Sequence, residues 1–239
     1  MAPSLPKLKV ALFADGADQS SMLKHYRAGI VQGFTTNPTL MAKAGIKSYE
    51  DFGRAITSEI KNLPISFEVF SDDFDEMRVQ AKKIAGFGEN VNVKIPISNT
   101  KGESSLPLIK SLLSDGIKLN VTALLTHEQV KSLRELMSPV DDVIVSIFAG
   151  RIGDTGVDPM PLMREAVEMF APLPKAKVLW ASTREALNIY QAEECGCHII
   201  TLSDDLLSKL SLYKKSLSQY SLETVQMFRR DAVSAGFTL

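Results

Sequence analysis

Eight short apolar, β-rich runs recur along the chain: KVALFAD (9–15), GFTTN (33–37), ISFEVF (65–70), VNVKIPI (91–97), KLNVTA (118–123), VIVSIFA (143–149), KVLWAS (177–182) and HIITLS (198–203). Each predicts a β-strand, whose successive side chains point to opposite faces. Between the runs, apolar positions recur every three to four residues and predict helices over 49–63, 74–87, 104–113, 127–137 and 160–170. Asn37-Pro38 and Asp158-Pro159 place a capping side chain ahead of a proline at the first helical position. Thr126 to Gln129 and Ser182 to Glu185 have the spacing of a capping box, and Gly86-Phe87-Gly88 reads as a helix stop.

Regular alternation of strand and helix requires parallel strands joined by crossover helices. Eight such units in 239 residues fit an α/β protein with a single-domain (β/α)8 TIM barrel over residues 1–220. An open doubly wound sheet is the alternative, but it would carry a glycine-rich phosphate turn, and neither GxGxxG nor GxxxxGK[ST] occurs. Helical periodicity returns over 221–235, so residues 221–239 are expected to form an additional C-terminal helix. Its apolar face needs a partner, either the barrel's underside or a neighbouring subunit, which suggests a homo-oligomer.

Composition narrows the function classes. A hydrophobic content of 45% supplies a sizeable core, and a net charge of -1 without basic clusters argues against nucleic acid or an anionic membrane as partner. The chain has no apolar run of about 18 residues, and MAPSLPKLKV lacks a secretory core, so a soluble cytoplasmic protein is expected. Cys195 and Cys197 are too close for a disulfide framework and too compact with His198 for a zinc site, and read as buried small hydrophobes.

The run VNVKIPI carries the chemical clue. Val91, Val93, Ile95 and Ile97 share one face, so Lys94 points the other way, either to solvent or into a polar barrel interior. On the same parity the other strands offer Asp15, Asn37, Glu68, Asn120 with Thr122, Ser146 and Ser182 near their carboxyl ends, where the reactive end of such a barrel lies. A buried lysine favours its neutral amine and can then attack a ketone. Glu68 and Thr122 suit the proton shuttling that expels water, and Asp15 suits removal of a hydroxyl proton during carbon–carbon cleavage. Arg151, Ser182 and Arg184 follow the sixth and seventh strands, where they and the backbone amides of the next helix could hold a phosphate.

GFTTNPTL (33–40), VNVKIPI, KLNVTALLT (118–126), SIFAGRIGD (146–154) and WASTREAL (180–187), in this order, resemble the transaldolase family in the compact form that includes the fructose 6-phosphate aldolases. The resemblance implies a Schiff base on Lys94, acid/base catalysis by Asp15, and a catalytic water held by Glu68 and Thr122. It also implies that Asn37, Asn120 and Ser146 orient the sugar, with Phe148 beside them, and that Arg151, Ser182 and Arg184 bind phosphate. The expected reaction moves a dihydroxyacetone unit between sugar phosphates in the pentose phosphate pathway, without metal or organic cofactor. The aldolase branch tends to have glutamine at Glu68 and tyrosine at Phe148, so this chain sides with transfer over free aldol cleavage; a barrel that only binds sugar phosphates is a third alternative. The chain departs from the family at Gly16 and Thr183, and at Trp180, which would narrow the pocket if it pointed inward.

Overall fold

The computed structural model describes residues 7–238, which fall into two compact units, one of residues 8–207 and one beginning at residue 208. In the first, eight parallel strands close on themselves in the order β1 to β8: Ala11–Asp15, Gly33–Thr35, Ile65–Glu68, Val91–Pro96, Leu119–Leu124, Val143–Ile147, Ala176–Trp180 and Ile199–Leu202. The helices α1 to α10 follow their strands: Gln19–Ala28, Pro38–Lys43, Tyr49–Glu59, Phe74–Ala85, Leu106–Ser114, His127–Leu136, Ala149–Asp154, Met160–Phe170, Leu187–Glu194 and Asp204–Ser208. This is the (β/α)8 barrel expected from the alternation.

Local signals explain most helix boundaries. Asn37 caps α2 through Leu40 N–H, with Pro38 opening the helix. Thr126 and Gln129 form the full capping box of α6, and Gly86 ends α4. Two signals resolve differently. The Ser182–Glu185 capping box does not form, because Ser182 adopts a left-handed φ of 63° and α9 begins only at Leu187. At α8, Pro159 itself is the cap, and the Asp158 carboxylate accepts from Met160 N–H.

The outward strand positions form the main core. Ile65, Phe67, Val93, Ile95, Leu119, Val121, Val145, Ile147, Val178 and Trp180 are completely buried, as are Ile56, Ile109, Leu112, Val130, Leu133 and Met163 on the helices. Phe67 meets Phe52, Phe87 and Tyr49 edge-on or nearly so. Cys195 and Cys197 are buried free thiols, and burial pushes the Cys197 thiol up to about 12.

Inside the barrel the lining is split. Phe13, Ile144, Leu179, Ala181 and Ile199 form an apolar cluster on the β1 and β6–β8 side. A Cβ on Gly33 would lie 2.4 Å from the Phe13 ring, so that glycine makes room for the aromatic plug. On the β3–β5 side the inward residues are Ser66, Asn92, Lys94, Asn120 and Thr122, all buried and polar.

The second unit holds a 3-10 turn at Lys209–Leu212 and α11 at Leu217–Ser234, which starts four residues ahead of the expected 221. Its Lys215 pairs with Glu223. Along α11, Leu217, Leu222, Val225, Phe228 and Val233 are all exposed. Among the described residues, no helix is long and apolar enough to cross a membrane.

Phe13→Ala should remove the plug and leave a cavity the barrel cannot collapse around, costing about 3–5 kcal/mol of stability. Denaturant unfolding monitored by circular dichroism reads this loss directly.

Candidate active site

Lys94 stands on β4 with only 7% of its surface exposed, so it faces the barrel interior and not solvent. Its Nζ is 3.0 Å from Glu68 Oε2 and donates to the Thr36 carbonyl at 2.8 Å. The register explains the first contact, since Lys94 sits directly beside Glu68 in the β3–β4 ladder. Burial therefore does not act alone on the amine. A carboxylate and a backbone carbonyl both touch it, and Glu68 is the acidic side chain paired with it.

Asp15 ends β1 and accepts a hydrogen bond from the Thr35 hydroxyl at 2.7 Å. Burial pushes its carboxyl above the ordinary aspartate value; the Thr35 bond and the Lys94 charge pull against this, and the Glu68 charge adds to it. The Thr35 hydroxyl also lies 2.6 Å from that of Thr201.

On the neighbouring strands Asn120 donates to Ser66 Oγ at 3.0 Å and accepts from the Ser146 hydroxyl at 2.6 Å. That chain fixes the amide orientation. Thr122 is 1% exposed and its hydroxyl has no protein partner among the described residues, leaving a polar atom directed at whatever fills the barrel mouth. The next residue, Ala123, has a left-handed φ of 62°, and Ser182 has 63°. Such strained backbone at non-glycine residues commonly sits at functional positions.

A cavity of about 210 Å³ joins these groups. Its wall includes Asp15, Asn37, Lys94, Asn120, Thr122 and Ser146, with Phe148, Arg151, Ser182 and Arg184 toward the rim. The structure thus gathers ten of the eleven expected residues around one space. Glu68 is the exception, reaching the cavity through Lys94. Asn37 Oδ1 is engaged in capping α2, which leaves its amide nitrogen for a ligand.

The rim is more constrained than the sequence suggested. Arg184 Nε lies 2.9 and 3.0 Å from the two Asp154 oxygens, a bidentate pair that holds the Asp154 carboxyl below the usual range. The N–H groups of Arg184 and Glu185, expected to be open to a phosphate, both donate to Asn188 Oδ1. Arg151 is exposed, its guanidinium 5.6 Å from the Phe148 ring centre. Trp180 does not narrow the cavity. Leu179 and Ala181 on either side of it line the space, so by strand alternation its ring lies on the barrel's outer face. Thr183 lines the cavity and donates to the Thr201 carbonyl. At Gly16 an added side chain would meet nothing within 4 Å.

Sequence reasoning missed Thr35, Thr36, Ser66 and Thr201. Three of them share the inward parity of the residues that were found: Thr35 with Asn37, Ser66 with Glu68, and Thr201 as the eighth strand's contribution. Thr36 acts through its backbone carbonyl, for which no side-chain signal exists.

The family model described as transaldolase/fructose-6-phosphate aldolase matches residues 12–239. A probable transaldolase of Syntrophobacter fumaroxidans is 33% identical over 202 residues, covering 83% of this chain and 88% of the relative. One from Streptococcus agalactiae is 33% identical over 217 residues, covering 89% and 94%. Among solved structures, KGPDC from Streptococcus mutans superposes with a TM-score of 0.57 at 10% identity, over 88% of this chain and 100% of that one, a likeness of fold alone.

Two substitutions test the geometry. Thr35→Val removes a bond to the ionised form of Asp15, so the carboxyl, already raised, should titrate higher still; NMR titration of its side-chain carbon reads the shift. A Cβ on Gly150 would lie 1.6 Å from the Ser182 carbonyl oxygen, so Gly150→Ala should force Ser182 to shift and cost about 1–3 kcal/mol of stability, read by denaturant unfolding.

Proposed function

The chain belongs to the transaldolase/fructose-6-phosphate aldolase family, and from that premise we propose that it is a transaldolase working through a Schiff base on Lys94. Its donor is a ketose phosphate, sedoheptulose 7-phosphate or fructose 6-phosphate. Its acceptor is an aldose phosphate, glyceraldehyde 3-phosphate or erythrose 4-phosphate, as in the pentose phosphate pathway. The observation that carries the reading is a lysine nitrogen buried in the barrel mouth, 3.0 Å from one carboxylate, with a second carboxylate on the wall of the same cavity.

The steps follow from these positions. Nζ passes a proton to Glu68 and attacks the C2 carbonyl of the ketose. A second nitrogen proton passes to the carbinolamine oxygen through a water held at the Thr122 hydroxyl, Glu68 returns the first, and water leaves an iminium on Lys94. Asp15 takes the proton of the C4 hydroxyl, the C3–C4 bond breaks, and its electrons move to the iminium nitrogen. An aldose phosphate leaves and an enamine stays on Lys94. Asp15 is now a carboxylic acid, the form its burial favours, and can return the proton to the carbonyl oxygen of the acceptor as the new bond forms. Asn37, Asn120 and Ser146 orient the sugar hydroxyls, while Arg151, Ser182 and Arg184 take the phosphate, which must displace Asp154 from Arg184.

Phe148 favours transfer over free cleavage. Its phenyl ring lines the cavity but offers no proton to the enamine, which then waits for an aldehyde.

Borohydride with fructose 6-phosphate should reduce a covalent adduct onto the Lys94 peptide, seen by mass spectrometry, and Lys94→Ala should abolish it. Asp15→Asn should still trap the intact hexose adduct while exchange between sugars falls by at least a hundredfold. An unlabelled Lys94 peptide in the native protein would overturn the proposal. Steady release of dihydroxyacetone without acceptor would replace transfer with free aldol cleavage.

A further inference from the structure

Tyr49 opens α3, immediately after the Ser48 cap, and its side chain reaches back to the end of β3. Its hydroxyl donates to the Glu68 carbonyl at 2.7 Å and accepts from the Glu68 N–H at 2.8 Å. Both backbone groups of one residue are thus satisfied by one side-chain atom.

The topology explains why they need it. In a parallel sheet the N–H and C=O of a given residue face the same neighbouring strand. Ser66 uses its carbonyl toward β2, accepting from Thr36 N–H, whereas Val69 N–H turns the other way to the Lys94 carbonyl. Glu68 therefore faces β2. But β2 ends at Thr35, and by Pro38 the chain has turned into α2, so the ladder has run out at the height where Glu68 must be held. The Tyr49 hydroxyl stands in for the missing strand. Its ring is fixed in turn by Phe67 at 6.3 Å and Phe70 at 5.4 Å. Burial pushes the phenol above its ordinary value, so it stays protonated and able to donate across the working pH range.

We propose that Tyr49 is a positioning residue for Schiff-base formation: by completing the β3 ladder it holds the Glu68 carboxylate against Lys94. The inference rests on the Lys94 chemistry proposed above. Without the hydroxyl, the strand end is free to shift or admit water. A displacement of about 1 Å at a proton-transfer group is worth up to a hundredfold in rate. Bond cleavage depends on Asp15, whose hydrogen bond comes from Thr35, so that step should be spared.

Rapid-quench borohydride trapping with saturating fructose 6-phosphate tests this. Tyr49→Phe keeps the ring and its aromatic contacts and deletes only the hydroxyl. It should slow formation of the Lys94 adduct at least tenfold, with KM changed less than twofold and with cleavage of the formed adduct at the native rate. Val79→Ala, at an exposed position of α4, should trap at the native rate. In a Glu68→Gln background, Tyr49→Phe should have no further effect, because the group it positions is gone. Native-rate trapping by Tyr49→Phe, equal slowing of every step, or additivity with Glu68→Gln would each overturn the inference. Failure of the native protein to trap at all would instead overturn the Schiff-base reading.

Discussion

A lysine nitrogen taken out of water must shed its charge or be compensated, because the uncompensated penalty is several kcal/mol. Lys94 is compensated twice, by a carboxylate on the adjacent strand and by a backbone carbonyl at the end of β2. Much of the site follows from that constraint. Glu68 must end its strand at the level of Lys94, which the parallel register provides, and β2 must break off at Thr36 to turn its carbonyl inward. The same break strips Glu68 of a ladder partner, so the requirement passes to Tyr49 at the start of α3.

Splitting the interior makes this affordable for the fold. A barrel lined all round by polar groups would forfeit the packing that normally fills its centre. Here Phe13, Ile144, Leu179 and Ile199 fill one side, while Lys94 pairs with Glu68 and Asn120 with Ser66 on the other. The Ser66–Asn120–Ser146 chain illustrates the rule that a buried polar network is tolerable when its members are paired. Thr122, on the cavity wall, keeps a buried hydroxyl with no protein partner among the described residues.

Toward the rim, control passes from packing to backbone strain and exchangeable charge. Ser182 is held in a left-handed conformation, with its carbonyl pressed against the one residue type that fits, Gly150. Arg184 is occupied by Asp154, so an incoming anion meets a guanidinium that already has a carboxylate partner. Both groups of that pair are about half exposed, and such pairs contribute little to stability, so Arg184 can leave Asp154 at little cost to the fold.

The sequence by itself determined the eight strands, the barrel and, on most strands, the side that faces inward, because a two-residue period leaves a strand only two faces. On β7 the parity assigned through Ser182 is overturned, since Leu179 and Ala181 line the cavity and Ser182 reaches it through a left-handed backbone. Parity alone brings Asp15, Asn37, Lys94, Asn120, Thr122 and Ser146 to one surface. Tertiary structure decided what periodicity cannot encode. The Thr36 carbonyl is chemically identical to every other carbonyl until β2 ends; the Tyr49 hydroxyl has no mark in its own helix showing that it serves Glu68. Trp180 differs from an inward residue by a single step along β7, and the partner of Arg184 lies at the end of α7, thirty residues away in the chain. Patterns along the chain report which face a residue occupies, whereas hydrogen bonds between elements depend on where those elements stop, and that is settled only when they pack.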